Sequence, residues 1–367
     1  MWTTAGRMVR SPSEMESLPG RPAGDPGQLD RGDLESILKI LVIQLGPFGD
    51  ALLTTSYFET IKRRLPGVKI HYLIKEPYDM AIRGHPLIDA IMVIRRRSGL
   101  GYVAERIRIL RAIRRERFDL VIDQQNKPSS QQLTFLSGAR YRLGYADARF
   151  DRAYNLKAGR GPLRYSAGRK YDILGPLGIE EEAYTIRFRV PPEAESFAGA
   201  WLKEAGIEPA ELVCMSPGSP VRRKRWRLAS FARLADLIQT GTECRVVLLW
   251  GPGEFDQVRE VETRMQTRAT VAPPTDFAQA AAFLRGSRLL ICNDGGLNHL
   301  AVATATPTVA VFGTTDPAVW SPASAFGHHH HLFKPGLDSR KDDSFGITPD
   351  EAFDLVRKVL AVKVARA

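Results

Sequence analysis

One stretch constrains this chain more than any other: residues 289 to 317, LLICNDGGLNHLAVATATPTVAVFGTTDP. An apolar run ending at Cys292 meets Asn293, Asp294, Gly295 and Gly296, then an Ala- and Leu-rich segment, Pro307, and a β-branched run to Phe312. Breakers bound runs whose lengths suit a strand, a tight turn, a helix and a second strand. A glycine turn that opens a helix presents free backbone N–H groups at a positive dipole end, which attract anions. The same residues also allow a plainer role, with the glycines permitting a tight turn and Asp294 capping the helix.

The same grammar recurs along the chain. Residues 37 to 74 read as a strand (38 to 44), a glycine loop, a helix (50 to 64), a Pro66-Gly67 turn and a strand (69 to 74), which is a βαβ unit with a parallel sheet. Short apolar runs at 90 to 94 and 119 to 122 flank an Arg-rich helix at 103 to 117. Between 126 and 178 the alternation loosens, and loops over an acceptor site are the expectation. VPPEAE at 190 to 195 reads as a boundary. Beyond it come a helix (194 to 205), a strand (212 to 216), a helix (227 to 239), a strand (245 to 250), a helix (254 to 266) and a helix (277 to 285). An amphipathic pattern at 349 to 364 predicts a C-terminal helix. The fold class is therefore α/β, with two Rossmann-like doubly wound halves facing a cleft. The expected division is a disordered tail at 1 to 36, an N-terminal half at 37 to 190, a C-terminal half at 191 to 348 and a last helix at 349 to 367.

Composition narrows the partners. The 367 residues carry 52 basic and 41 acidic side chains, a formal charge of +11 that favours phosphorylated small molecules, nucleic acid or an anionic membrane face. Cys214, Cys244 and Cys292 each sit in or beside an apolar run and read as small core residues, which suits a reducing cytosol. No apolar run approaches the roughly 18 residues of a spanning helix, and no secretory segment is evident. His328 to His331 reads as an internal loop cluster without spacing to other metal ligands.

Three constellations can carry chemistry. The loop Gly46-Pro47-Phe48-Gly49-Asp50 is neither a dinucleotide fingerprint nor a Walker A loop, and Pro47 removes an N–H that a pyrophosphate would want. It does place Asp50 at a strand-to-helix turn, as a helix cap or as a general base. The second, MSPGSPVRRKRWR at 215 to 227, ends a strand with Ser216, a Pro217-Gly218 turn, Ser219 and the cations Arg222, Arg223, Lys224 and Arg225. Such a loop neutralises phosphate oxygens or is simply a solvated basic run. One short run without interleaved aromatics is a weak signal for nucleic acid, which is not an expected partner. The third is the Asp294-Gly295-Gly296 turn with His299 in the first turns of its helix, where the dipole favours a neutral imidazole. No Asp-x-Asp pair occurs, so a nucleotide-diphosphate leaving group would rely on helix N-termini and cations.

Taken together and in this order, ILVIQLGPFGDALLTT, SPGSPVRRKRW and NDGGLNHLAVATATPTVAVFGTTDP resemble the family 9 glycosyltransferases, the ADP-heptose:lipopolysaccharide heptosyltransferases. The resemblance spans roughly residues 37 to 365 and implies a GT-B fold with metal-independent, inverting chemistry and no cofactor. It implies Asp50 as the catalytic base and Gly46 and Gly49 on the acceptor side. Ser216, Gly218, Ser219, Lys224, Asp294, Gly295, Gly296 and His299 would bind the nucleotide-sugar donor. The implied acceptor is lipopolysaccharide or another glycan, and the basic segment around Arg95 to Arg117 could touch an anionic membrane from the cytoplasmic side. Gly295 stands where the family usually has Ser or Thr, and Arg164 to Tyr171 lacks a histidine often found there. A glycosyltransferase using another nucleotide-sugar, a non-catalytic sugar-nucleotide binder and a dinucleotide oxidoreductase are the alternatives, the last without its glycine fingerprint.

Overall fold

Runs of Ile, Leu and Val too short for helices become the strands of two sheets whose faces are covered by helices, as parallel pairing requires. A computed structural model describes residues 28–337 and 342–361. The first sheet contains β1 (Lys39–Ile43), β2 (Lys69–Lys75), β3 (Ala90–Ile94), β4 (Leu120–Asp123), β5 (Tyr141–Tyr145) and β6 (Leu156–Ala158), in the order β3-β2-β1-β4-β5-β6. The second contains β7 (Leu212–Ser216), β8 (Arg245–Leu248), β9 (Thr270–Val271), β10 (Leu289–Asn293), β11 (Thr308–Val311) and β12 (His329–Leu332), in the order β12-β11-β10-β7-β8-β9. Every pairing is parallel. The order reverses between β1 and β4 in one sheet and between β10 and β7 in the other. Ligands in such folds bind beyond the carboxyl ends of the strands at these reversals. The loops after β1 and β10 are the two glycine loops singled out by sequence.

One continuous core runs through both halves. Ile40, Leu52 and Tyr57 of the first belong to the same buried cluster as Phe283, Leu290 and Leu300 of the second. The helix Pro192–Glu204 follows the first half and packs on the helix Phe277–Gly286, with the Trp201 and Phe283 rings 5.4 Å apart. The opposite face of the first sheet is closed by Ile109 and Ile113 of the helix Gly99–Glu116, against Leu41, Ile43, Leu73 and Val121.

Several expectations need correction. The helix predicted over 50 to 64 is broken into Phe48–Leu53, a 3-10 turn Thr54–Tyr57 and Phe58–Arg64. The Thr54 hydroxyl donates to the Asp50 carbonyl and Thr55 to that of Leu52, and such side-chain bonds compete with a regular helical ladder. The stretch 126 to 178 is not mainly loop: it holds the helix Pro128–Leu136, β5 and β6. In β5 the ends are Tyr141 and Tyr145, whose buried rings escape a search for aliphatic runs, and β6 is only Leu156, Lys157 and Ala158. Of the tail expected to be disordered, residues 28 to 36 are ordered: Asp30 caps the helix Arg31–Glu35, and the Tyr141 hydroxyl donates to Asp33. Residues 1 to 27 lie outside the described residues. His329 to His331 are not a loop but most of β12, with His329 buried and its Nδ1 2.9 Å from the Thr308 hydroxyl. Among the described residues no group of three or more His, Cys, Asp or Glu is placed to hold a metal. All three cysteines are buried and free. No described helix is long and apolar enough to cross a membrane.

Candidate active site

The first lip of the cleft forms where β1 and β4 diverge. After β1 the chain turns through Gly46, whose φ of 114° and closeness to the Tyr78 ring admit no side chain. The helix Phe48–Leu53 then begins with Pro47 at its N-cap. Asp50 is in the first turn and caps nothing; its Oδ1 instead accepts a 2.9 Å hydrogen bond from Lys170 Nζ. Lys170 opens the 3-10 segment Lys170–Leu177 and is 9% exposed, so its ammonium is held beside a carboxylate that still reaches solvent.

The loop after β4 forms the facing wall. Asp123 is fully buried; it accepts from the Tyr154 hydroxyl at 2.8 Å and from the Asn126 N–H at 3.0 Å. Burial pushes its carboxyl up to about 6, against the pull of these hydrogen bonds. Gln125 Oε1 accepts from Gln44 Nε2 and from the Leu45 N–H, which ties this loop to the β1 loop. Between the two loops lies a cavity of about 340 Å³ lined by Gly46, Asp50, Gln124 to Lys127, Arg160, Arg169 and Lys170 on one side and Trp320 on the other. Its charged lining is four cations to one carboxylate. Arg160 is paired with Asp147 outside it. The buried Nε of Arg169 has no hydrogen-bond partner among the described residues.

The second lip forms where β10 and β7 diverge. Asn293, the last residue of β10, accepts from the Trp226 N–H at 2.9 Å and donates to the carbonyls of Pro217 and Gly218. A single amide thus pins the whole 217 to 226 loop to the glycine turn. Asp294 is 3% exposed and accepts from Lys224 Nζ and from the Thr315 hydroxyl, both at 2.6 Å, so it too is not a helix cap. Gly295 occupies the N-cap of the helix Gly296–Ala303, which has no side-chain cap. The first N–H groups of this helix are therefore available to an anion. Gly295 is in extended backbone with φ 178°, and a Cβ there would meet nothing nearer than the Asn293 carbonyl at 3.9 Å.

The donor-side expectations divide. Lys224, Asp294, Gly295 and Gly296 come together at this lip. Ser216 and Ser219 are buried, and Ser219 Oγ donates to the Val221 carbonyl at 3.3 Å, so neither hydroxyl is open to a phosphate in this conformation. Gly218 makes room for Glu254, whose carboxyl carbon would lie 2.6 Å from an added Cβ. Arg225 turns inward to the Ser219 carbonyl, while Arg222 and Arg223 remain exposed.

The two lips touch through His299. This residue is 4% exposed, its Nδ1 lies 3.3 Å from the Tyr165 hydroxyl, and its Cδ2 would be 2.7 Å from a Cβ at Gly49. Gly49 does not line the cavity; it lets the Asp50 helix abut the Asp294 turn. Stacked rings of Phe48 and Phe277, 3.8 Å apart, seal the same contact. Burial pushes the His299 imidazole below its ordinary value, with Asp294 and Asp50 opposing in part. Desolvation is the largest cause of this lowering, which Lys224 and Lys170 reinforce. Lys170, Asn293, Thr315 and Trp320 were not found by sequence reasoning. Asn293 and Thr315 lie within the NDGG…GTTDP motif but carried no role there, and the basic pair Arg169-Lys170 was the signal for Lys170.

Two parallel six-stranded halves with a polar cleft at their facing reversals make a GT-B fold. The model of glycosyltransferase family 9 (heptosyltransferase) matches residues 106–331, and the chain belongs to that family. Over 326 residues it is 25% identical to lipopolysaccharide heptosyltransferase 3 of Escherichia coli, covering 85% of this chain and 95% of that one. A family 9 glycosyltransferase structure from Veillonella parvula superposes with a TM-score of 0.78 at 23% identity, over 89% of this chain and 98% of that chain. The E. coli ADP-heptose lipopolysaccharide heptosyltransferase II shares the fold with a TM-score of 0.71 at 18% identity, over 88% and 98% of the two chains.

Proposed function

We propose that this glycosyltransferase moves a heptose from ADP-heptose onto an anionic lipopolysaccharide core or related glycan, by single displacement with inversion. The observation that carries the reading is the pair of opposed lips: Asp50 with Lys170 on one, Lys224 with Asp294 and an uncapped helix N-terminus on the other. The names of the relatives supply the sugar and the acceptor.

In this reading Asp50 takes the proton of the acceptor hydroxyl as that oxygen bonds the anomeric carbon, and the bond from that carbon to the diphosphate oxygen breaks. Lys170 holds the Asp50 carboxylate in place. The departing diphosphate gains negative charge, which the N–H groups at Gly296 and beyond, together with Lys224, stabilise. Asp294 keeps Lys224 pointed at that position and offers its second oxygen to sugar hydroxyls. The absence of an Asp-x-Asp pair and the supply of cations from the protein itself support a metal-independent reaction. On the other side Lys127, Arg169 and Lys170 suit an acceptor bearing carboxylate or phosphate groups.

The test is direct transfer with purified enzyme, comparing ADP-heptose with other nucleotide-sugars on a core acceptor, with and without a chelator, and reading the product anomer by NMR. Transfer from ADP-heptose with inverted configuration and full rate in chelator is expected. No turnover of ADP-heptose alongside turnover of a different nucleotide-sugar would replace the donor assignment.

A further inference from the structure

The helix Gly99–Glu116 turns one apolar stripe inward and a second one outward. Ile109 and Ile113 are buried against the first sheet. On the opposite face Leu100, Val103, Ala104 and Ile107 follow the i, i+3, i+4, i+7 spacing of one helix side. Leu100 is 89% exposed, Val103 51% and Ile107 45%. Among the described residues nothing covers this stripe, and a run of aliphatic side chains at helical spacing is not what a solvated face contains.

Charge says what fits over it. Arg95 to Arg97 precede the helix, and Arg111 and Arg114 continue the outward face beyond Ile107, all of them exposed. Residues 95 to 117 contain nine arginines against two glutamates. Both glutamates are engaged elsewhere: Glu105 is buried with Arg108 and accepts the Arg95 N–H, and Glu116 pairs with Lys39. Among the described residues Arg96, Arg97, Arg111 and Arg114 have no carboxylate partner, and an apolar stripe framed by such arginines is the pattern of a helix that lies in a membrane interface.

Position adds a reason. The helix follows the carboxyl end of β3, so its exposed first turns stand at the edge of the sheet where the loops after β1 and β4 line the Asp50 cavity. Arg106 donates to the Ser129 carbonyl at 2.7 Å, next to the Lys127 that lines the cavity. We infer that the outward face of the Gly99–Glu116 helix docks on an anionic lipid surface, with Leu100, Val103 and Ile107 entering the interface and Arg95 to Arg97 on the headgroups. Docking there presents the acceptor cavity to a lipid-anchored glycan. This use rests on the acceptor proposed above, whereas the docking itself does not.

Vesicle flotation of the full chain tests it without any sugar transfer. Binding to phosphatidylcholine vesicles carrying about 30% phosphatidylglycerol should exceed binding to pure phosphatidylcholine and fall with salt. Arg96→Ala with Arg97→Ala should weaken binding roughly 25-fold, about fivefold per arginine. Leu100→Ser with Ile107→Ser should weaken it about tenfold or more while leaving the circular dichroism spectrum and turnover of a water-soluble acceptor unchanged. Equal binding to neutral and anionic vesicles, or either double variant binding like the wild type, would overturn the inference. So would a concentration-dependent dimer that Leu100→Ser with Ile107→Ser dissociates without changing vesicle affinity, because the stripe would then belong to a second copy.

Discussion

Replacing Asp50 with asparagine separates a catalytic role from a structural one, because the amide keeps the shape and can still accept the Lys170 hydrogen bond while losing charge and basicity. As the group that takes the acceptor proton, its loss lowers turnover by about 10² to 10⁴. The structural cost is smaller. Leaving a buried charge without its partner costs about 3–5 kcal/mol. The Asp50 side chain is 23% exposed and that of Lys170 11%, so solvent screening and the retained hydrogen bond reduce this to about 1–3 kcal/mol. Urea unfolding reads the second quantity and steady-state kinetics with saturating donor the first. Asp50→Asn combined with Lys170→Met removes both charges and should recover most of the stability but none of the rate. Turnover within about threefold of the wild type in a folded Asp50→Asn enzyme would refute the general-base reasoning. Recovery of turnover in the double variant would show that the single variant failed only through an unpaired Lys170.

Gly49→Ala sets a methyl 2.7 Å from the buried His299 ring, so a loss of about 1–3 kcal/mol in stability and a lower kcat are expected by urea unfolding and kinetics. Unchanged values would mean that the lips do not meet as described. Gly295→Ser should fold with stability within about 0.5 kcal/mol, since its backbone is extended and its Cβ direction open. A hydroxyl there should lower the donor KM about fivefold, the worth of one hydrogen bond, and an unaltered KM would place Gly295 away from the donor. Burial pushes His85 down to about 4, so the unfolded chain binds a proton that the native state refuses as pH drops from about 6.5 to 4. Stability from this group is complete above that window and falls by about 3 kcal/mol through it. Because Asp123 acts in the opposite sense between its ordinary value and about 6, the comparison to make is with His85→Asn. Denaturant midpoints from pH 7 to 4 should be flatter in that variant, and an identical slope would discard the assignment.

Much of the frame was readable before any coordinates. Strands β7, β10 and β11 come from aliphatic runs that local chemistry bounds with Pro and Gly, and these signals need no partner from elsewhere in the chain. The glycine turn at 294 to 296 and the cationic loop at 222 to 225 were recognisable for the same reason. β5, β6 and β12 were not, because tyrosines and an arginine fill most of β5, β6 is only Leu156-Lys157-Ala158, histidines fill most of β12, and only pairing with neighbouring strands makes such segments strands.

What the sequence alone determined is the alternation of elements, hence the two parallel halves, and the residue types at each strand's carboxyl end. What only the tertiary structure decided is which of those residues meet. Lys170 reaches Asp50 across 120 residues, and Asp294 holds Lys224 across 70. Both acids had a local reading as helix caps, and both were taken from it by a lysine from a distant segment. The physical reason is that a cap needs only neighbours within a turn, whereas pairing a desolvated charge depends on packing that the whole fold supplies.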